Sequence, residues 1–195
     1  GDVMGKGAGA AILMATIQSA LRSALAHGDA PHEAMMRTNE SACARSGDGE
    51  FLSLFLGVID PEAQRLDFVD AGHGLWLLAE AGAPARRVAC EGGHLLGIQE
   101  DAQYITESAP FPPGSRVLAF SDGLVEQPDP RGEQFGFDRA IGVLTGTSTP
   151  ADDVAALSAA PIRGNTRGAC DSDTHSCSSS SSSSSSSCGS ELRAG

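Results

Sequence analysis

Two aspartates stand where glycine lets a backbone come close to a ligand. Asp2 lies in GDVMGKGAG, just ahead of a helical pattern, and Asp122 lies in RVLAFSDGLVE, where an apolar run turns through Gly123. Carboxylates held this way suit a hard divalent cation, because Mg²⁺ and Mn²⁺ prefer oxygen ligands. Taken singly, each has a plainer reading, Asp2 as part of a glycine-packed helix start and Asp122 as a turn residue. The glycines and Lys6 of the first segment do not form a phosphate-binding loop. The pattern GxxxxGK[ST] is broken: only Asp2, Val3 and Met4 separate Gly1 from Gly5, and Gly7 follows Lys6. His73, between Gly72 and Gly74 in DFVDAGHGLWLL, reads as a structural hydrogen-bonding residue in a tight connection. Glu126 and Asp129 read as a solvated loop. The five cysteines include no CxxC pair, which argues against zinc, and Cys43 and Cys90 fit as small core residues.

The elements around these residues follow from periodicity. Ala10, Leu13, Met14, Ile17, Leu21, Ala24 and Leu25 recur at helical spacing and predict one amphipathic helix closed by Gly28. Pro31 opens a second helix that runs to Arg45. The period then shortens. Phe51–Ile59, Arg65–Val69 and Leu75–Leu78 read as strands, the first two joined by the turn DPEAQ. Arg86–Cys90 and Gln103–Glu107 are weaker strand patterns. Arg116–Phe120 is a buried strand that ends at Ser121-Asp122. Phe137–Leu144 and Ala151–Leu157 read as helices, with Asp152-Asp153 as an N-cap pair. Helices at both ends and strands between them indicate α+β with antiparallel sheet.

The chain has 195 residues and a formal net charge of -12. That balance excludes non-specific nucleic-acid binding, which needs cationic surface, and docking on anionic lipid. No apolar run approaches the roughly 20 residues that span a bilayer, so no membrane insertion is expected. With an odd cysteine count and no signal-peptide organisation at the start, a reducing cytoplasm is the expected compartment. From about Gly164 the composition breaks. Ser178–Ser187 is unbroken serine, which cannot bury apolar surface and predicts disorder.

Four segments, in order, resemble one family. GDVMGKGAGAAILMA, FLSLFLGVIDPEAQRLDFVDAGHGLWLL, EGGHLLGI and PPGSRVLAFSDGLVEQPDPRGEQFG are similar to the metal-dependent, protein phosphatase 2C-like serine/threonine phosphatases. The branch is that of the bacterial stage II sporulation and stress-response regulatory phosphatases. The likeness runs from Gly1 to about Gly136. Asp70 stands where the family has asparagine, and Gly74 precedes no proline, departures confined to the strand connection.

The resemblance implies two packed antiparallel β-sheets flanked by helices, a four-layer αββα sandwich incomplete at both ends. Residues 1–163 would form a partial phosphatase domain lacking its first strands, and 164–195 a Ser-rich tail. It implies two Mn²⁺ or Mg²⁺ ions, with catalytic carboxylates Asp2 and Asp122. Asp2 would bridge the ions, the Val3 carbonyl would add a ligand, and Asp122 would hold the second ion. Asp171, in Asp171-Ser172-Asp173-Thr174, is the candidate for the family's closing metal-binding acid, although serine follows where an apolar strand is expected. The implied reaction is hydrolysis of phosphoserine or phosphothreonine on a protein, of the anti-sigma-factor antagonist type, in a bacterial partner-switching circuit. An upstream sensor domain would belong to a longer parent. The competing expectation is a phosphatase-like binding module without turnover.

Overall fold

The computed structural model describes residues 1–45, 50–91, 93–129, 131–144 and 149–160. Asp171 and the serine tract lie outside them. The elements run β1 (Asp2–Val3), α1 (Ala8–Ala26), α2 (Pro31–Cys43), β2 (Leu52–Asp60), β3 (Arg65–Ala71) and β4 (Trp76–Ala79). They continue with β5 (Glu107–Pro110), β6 (Arg116–Ala119), α3 (Asp122–Val125), α4 (Gly136–Val143) and α5 (Pro150–Ala159). One sheet has the order β1-β2-β3-β5 and the other pairs β4 with β6; every pairing is antiparallel.

Strand alternation sorts the side chains into layers. On β2, Leu52, Leu54 and Leu56 pack with Val69 and Ala71 of β3 against Leu13 and Ile17 of α1 and Met35 of α2. The opposite face of the same sheet offers Phe55, Leu66 and Phe68, which meet Trp76 and Leu78 of β4 and Val117 of β6. The other face of the second sheet, with Leu77, Ala79 and Leu118, buries against Ala140 of α4 and Leu157 of α5. The result is helix, sheet, sheet, helix. Between the sheets, the Phe55 and Trp76 rings lie 4.4 Å apart and those of Phe68 and Trp76 5.0 Å apart. Such ring pairs add about 0.5–1.5 kcal/mol each beyond their burial.

Local chemistry sets the ends of these elements. The β2–β3 hairpin turns on Asp60, whose Oδ1 accepts from the backbone N–H groups of Glu62 (3.0 Å) and Ala63 (2.8 Å). At the start of α2, Glu33 reaches back to accept from the Ala30 N–H at 2.9 Å, behind Pro31.

Several expectations shift. Of Arg86–Cys90, Arg86 alone bridges, to Leu78, so the segment forms no named strand. The strand expected at Gln103–Glu107 lies later, at β5. The two-residue β1 and the short α3 were not foreseen. Asp152-Asp153 is not an N-cap pair: Thr149 caps α5, accepting from the Asp152 N–H at 3.2 Å while Asp152 returns to the Thr149 N–H at 3.1 Å. Asp153 is instead buried and bonded to Arg116 Nε at 2.5 Å. By length and composition, α1 is also long and apolar enough to cross a bilayer, with a mean hydropathy of 1.2. Alanine raises that average around Arg22, and Leu13, Ile17 and Ala24 are buried within the fold.

Candidate metal centre

Asp2 is placed by the shortest strand. β1 pairs Asp2 with Ser53 and Val3 with Leu52, and the Met4 N–H donates to the Phe51 carbonyl at 2.9 Å. The Asp2 side is exposed and Val3 is half-buried. The chain then leaves through Gly5 and Gly7, with φ of 99° and 91°, a region open to glycine at little cost. Asp122 is placed by β6, whose register with β4 sets Ala119 opposite Trp76. Past the ladder, the Phe120 N–H still donates to the Leu75 carbonyl at 3.0 Å. Asp122 follows as the exposed first residue of α3.

The two edges meet at the β3–β4 connection. His73 is 6% exposed, and its Nδ1 lies 3.1 Å from the Ser53 hydroxyl, opposite Asp2 in the ladder. The other edge reaches the same connection through the backbone, where the Leu75 carbonyl accepts from the Phe120 N–H. Burial pushes the His73 imidazole below its ordinary value, opposed by the Asp70 and Asp2 carboxylates. The Asp2 and Asp122 edges are therefore both tied to this one connection, through Ser53 and through Phe120.

Asp70 holds that connection in shape. Its Oδ1 accepts from the His73 N–H at 2.6 Å and the Gly74 N–H at 3.2 Å; its Oδ2 accepts from the Gly74 N–H at 3.0 Å and the Trp76 indole N–H at 2.9 Å. Asparagine could not serve all of these, since its amide nitrogen cannot accept. The carboxylate at this position thus matches Trp76 in the same chain. Sequence reasoning took Asp70 only as a departure from the family and did not single out Ser53. The available signal was Trp76 six residues on, whose indole N–H needs an acceptor once it is buried.

The candidates expected from the sequence are hard oxygens: the carboxylates of Asp2 and Asp122 and the Val3 carbonyl. That chemistry fits Mg²⁺ or Mn²⁺, which can bind through one or two carboxylates while keeping several waters. Among the described residues, no group of three or more His, Cys, Asp and Glu side chains is arranged to hold a metal.

A family model described as stage II sporulation protein E (SpoIIE) matches residues 1–174. The chain belongs to the SpoIIE family. This SpoIIE-family chain is 26% identical over 174 residues to Protein IcfG of Synechocystis, a match covering 74% of this chain and 27% of that protein. It is 26% identical, with a TM-score of 0.64, to a crystal structure of the RsbU and RsbW domains of Rv1364c from Mycobacterium tuberculosis; 82% of this chain and 44% of that one are covered. Its fold also resembles the PP2C phosphatase domain, solved with a fragment of the regulatory domain, of SpoIIE from Bacillus subtilis. There the TM-score is 0.65 at 22% identity, over 84% of this chain and 48% of the other. The SpoIIE-family chain thus spans about a quarter of the curated relative's length and has the layered fold of PP2C phosphatase domains.

Proposed function

We propose that this chain is the catalytic part of a Mn²⁺- or Mg²⁺-dependent phosphatase acting on phosphoserine or phosphothreonine in a protein. The observation that carries the reading is the meeting of the Asp2 and Asp122 edges at the β3–β4 connection, in a chain of the SpoIIE family. Asp2, the Val3 carbonyl and Asp122 would hold the ions, with Asp171 a further candidate ligand. Two ions bound there would polarise phosphoryl oxygens and supply an activated water, the chemistry such centres contribute to phosphate-ester hydrolysis. The exposure of both acids suits a substrate presented on another protein. The substrate class we propose is a phosphorylated anti-sigma-factor antagonist in a bacterial partner-switching circuit, met in the cytoplasm. A sensor domain would accompany this part in a longer parent.

The test is hydrolysis of a phosphoserine protein with Mn²⁺, with Mg²⁺ and after chelation. Turnover should require metal and fall by at least about 100-fold in Asp2→Asn and in Asp122→Asn, since each removes a group on which transition-state charge stabilisation depends. Turnover that survives chelation would end the proposal. A binding module without turnover is the second reading, favoured by the lack of a three-residue metal cluster among the described residues. It predicts partner binding with no phosphate release under any metal condition.

A further inference from the structure

We infer that Asn39 is a positioning residue for the Asp2–Val3 edge, holding the strand beside it through residues 96–100. The inference rests on the metal-site reading of Asp2 and the Val3 carbonyl, and adds the buried side chain that keeps both in place. β1 has two residues and one neighbour, β2. It is attached on either side of Leu52: the Phe51 carbonyl accepts from the Met4 N–H, and Ser53 stands opposite Asp2. Leu52 turns its own backbone the other way. Its N–H donates to the Leu96 carbonyl at 3.0 Å, and its carbonyl accepts from the Leu96 N–H at 2.9 Å. The residue at the centre of the β1 attachment is therefore pinned from residue 96.

Residue 96 is held in turn by α2. Asn39 of that helix is fully buried. Its Nδ2 donates to the Gln99 carbonyl at 2.7 Å and the Glu100 carbonyl at 3.2 Å, and its Oδ1 accepts from the Gly97 N–H at 3.0 Å. Two carbonyls on one side and an N–H on the other fix which way the amide points. Both amide protons and the oxygen thus go to one short stretch of backbone directly after Leu96. Thr38, its neighbour and equally buried, makes the contrast: its hydroxyl donates to the Ala34 carbonyl within α2 at 2.7 Å. An asparagine serving only to fill the layer between helix and sheet would not need to match three backbone groups of another segment. A satisfied buried network makes rigid what it holds. Without the Asn39 amide those three groups lose their partner, and the hold on Leu96 and Leu52 loosens with them.

Mn²⁺ affinity is measured from the free-ion electron paramagnetic resonance signal, local opening by amide hydrogen exchange, and folding by urea unfolding. Asn39→Ala should weaken Mn²⁺ binding by about 10-fold or more, the range seen when groups that orient metal ligands are lost. Exchange of the Met4, Leu52 and Leu96 amides should quicken by at least about 10-fold relative to the Leu78 and Arg86 amides, which bond each other in the second sheet. Thr38→Val removes a bond from the same helix and should change neither. A folded Asn39→Ala with undiminished Mn²⁺ affinity overturns the inference, as does a Thr38→Val that weakens binding equally. Should Asn39→Ala fail to fold, exchange in the wild type decides: if release of residue 96 frees β1, the Met4 amide cannot be better protected than the Leu96 amide, and the reverse order overturns the inference. Asp2→Asn in the same titration separates the two readings. Binding that weakens there yet is untouched by Asn39→Ala sinks the positioning role alone; wild-type binding that ignores both Asp2→Asn and Asp122→Asn sinks both.

Discussion

Asp70→Asn exchanges one atom for another of similar size, and the contacts around Asp70 say what it costs. Oδ1 serves the His73 and Gly74 N–H groups, and Oδ2 serves the Gly74 N–H and the indole N–H of Trp76. Asparagine keeps one acceptor. Left facing His73, that oxygen sets its NH₂ against the indole N–H, donor against donor; flipped, it abandons the His73 N–H at 2.6 Å. Trp76 is 2% exposed, so water cannot replace the lost acceptor. A hydrogen bond to a charged group is worth about 1.5–3 kcal/mol, and Asp70→Asn should therefore lower stability by about 2 kcal/mol. In a Trp76→Phe background the stranded donor is gone, and the same exchange should cost less than about 1 kcal/mol, a coupling of about 1 kcal/mol or more. Urea unfolding followed by far-ultraviolet circular dichroism reads this as a shift in midpoint at constant slope. A wild-type midpoint in Asp70→Asn, or an equal cost in both backgrounds, would refute the reasoning.

Other consequences follow from single contacts. Asp153→Ala leaves the Arg116 guanidinium buried without this partner, in a pair whose side chains are 7% and 1% exposed. The loss should be about 3–5 kcal/mol, and a thermal melt unchanged by the substitution would contradict it. Gly72→Ala forces a left-handed backbone and a 2.7 Å approach to Leu95, costing about 1–3 kcal/mol for the backbone alone; Leu95→Ala should relieve the clash but not that part. Thr149→Ala removes the α5 cap, at about 1 kcal/mol, read by chemical unfolding. Burial holds the His73 imidazole below its ordinary 6.5, so below that pH the unfolded chain takes up a proton that the native state resists. Stability should then decline as pH falls from about 6.5 toward the lowered native value. Melting temperatures across this window should show a limb that His73→Gln lacks.

The long elements were legible because their periods are set by burial on one face. Leu13, Ile17 and Ala24 mark the buried side of α1, and Leu52, Leu54 and Leu56 that of β2. β1 was not legible. Two residues carry no period, and Asp2–Val3 is a strand because Leu52 and Ser53 pair with it from the far side of two helices. β5 fell late because its register answers to Arg65–Phe68 of β3, a partner that local alternation does not show. The candidate acids were visible as residue types beside glycine, but nothing local showed that their edges would meet at the β3–β4 connection. Asp153 misled for the opposite reason. An acid near a helix start looks like a cap, and only the distant Arg116 reveals another use.

Phe55, Phe68 and Trp76 fill the space between the sheets. Facing sheets stand about 10 Å apart, a distance set by the side chains that interleave there. Because Asp2 belongs to one sheet's edge and Asp122 follows a strand of the other, these rings act as a gauge block for the gap that separates the acids. Trimming Phe68 would remove one of the rings packed on Trp76 between the sheets. The width of the mouth is written in the interior.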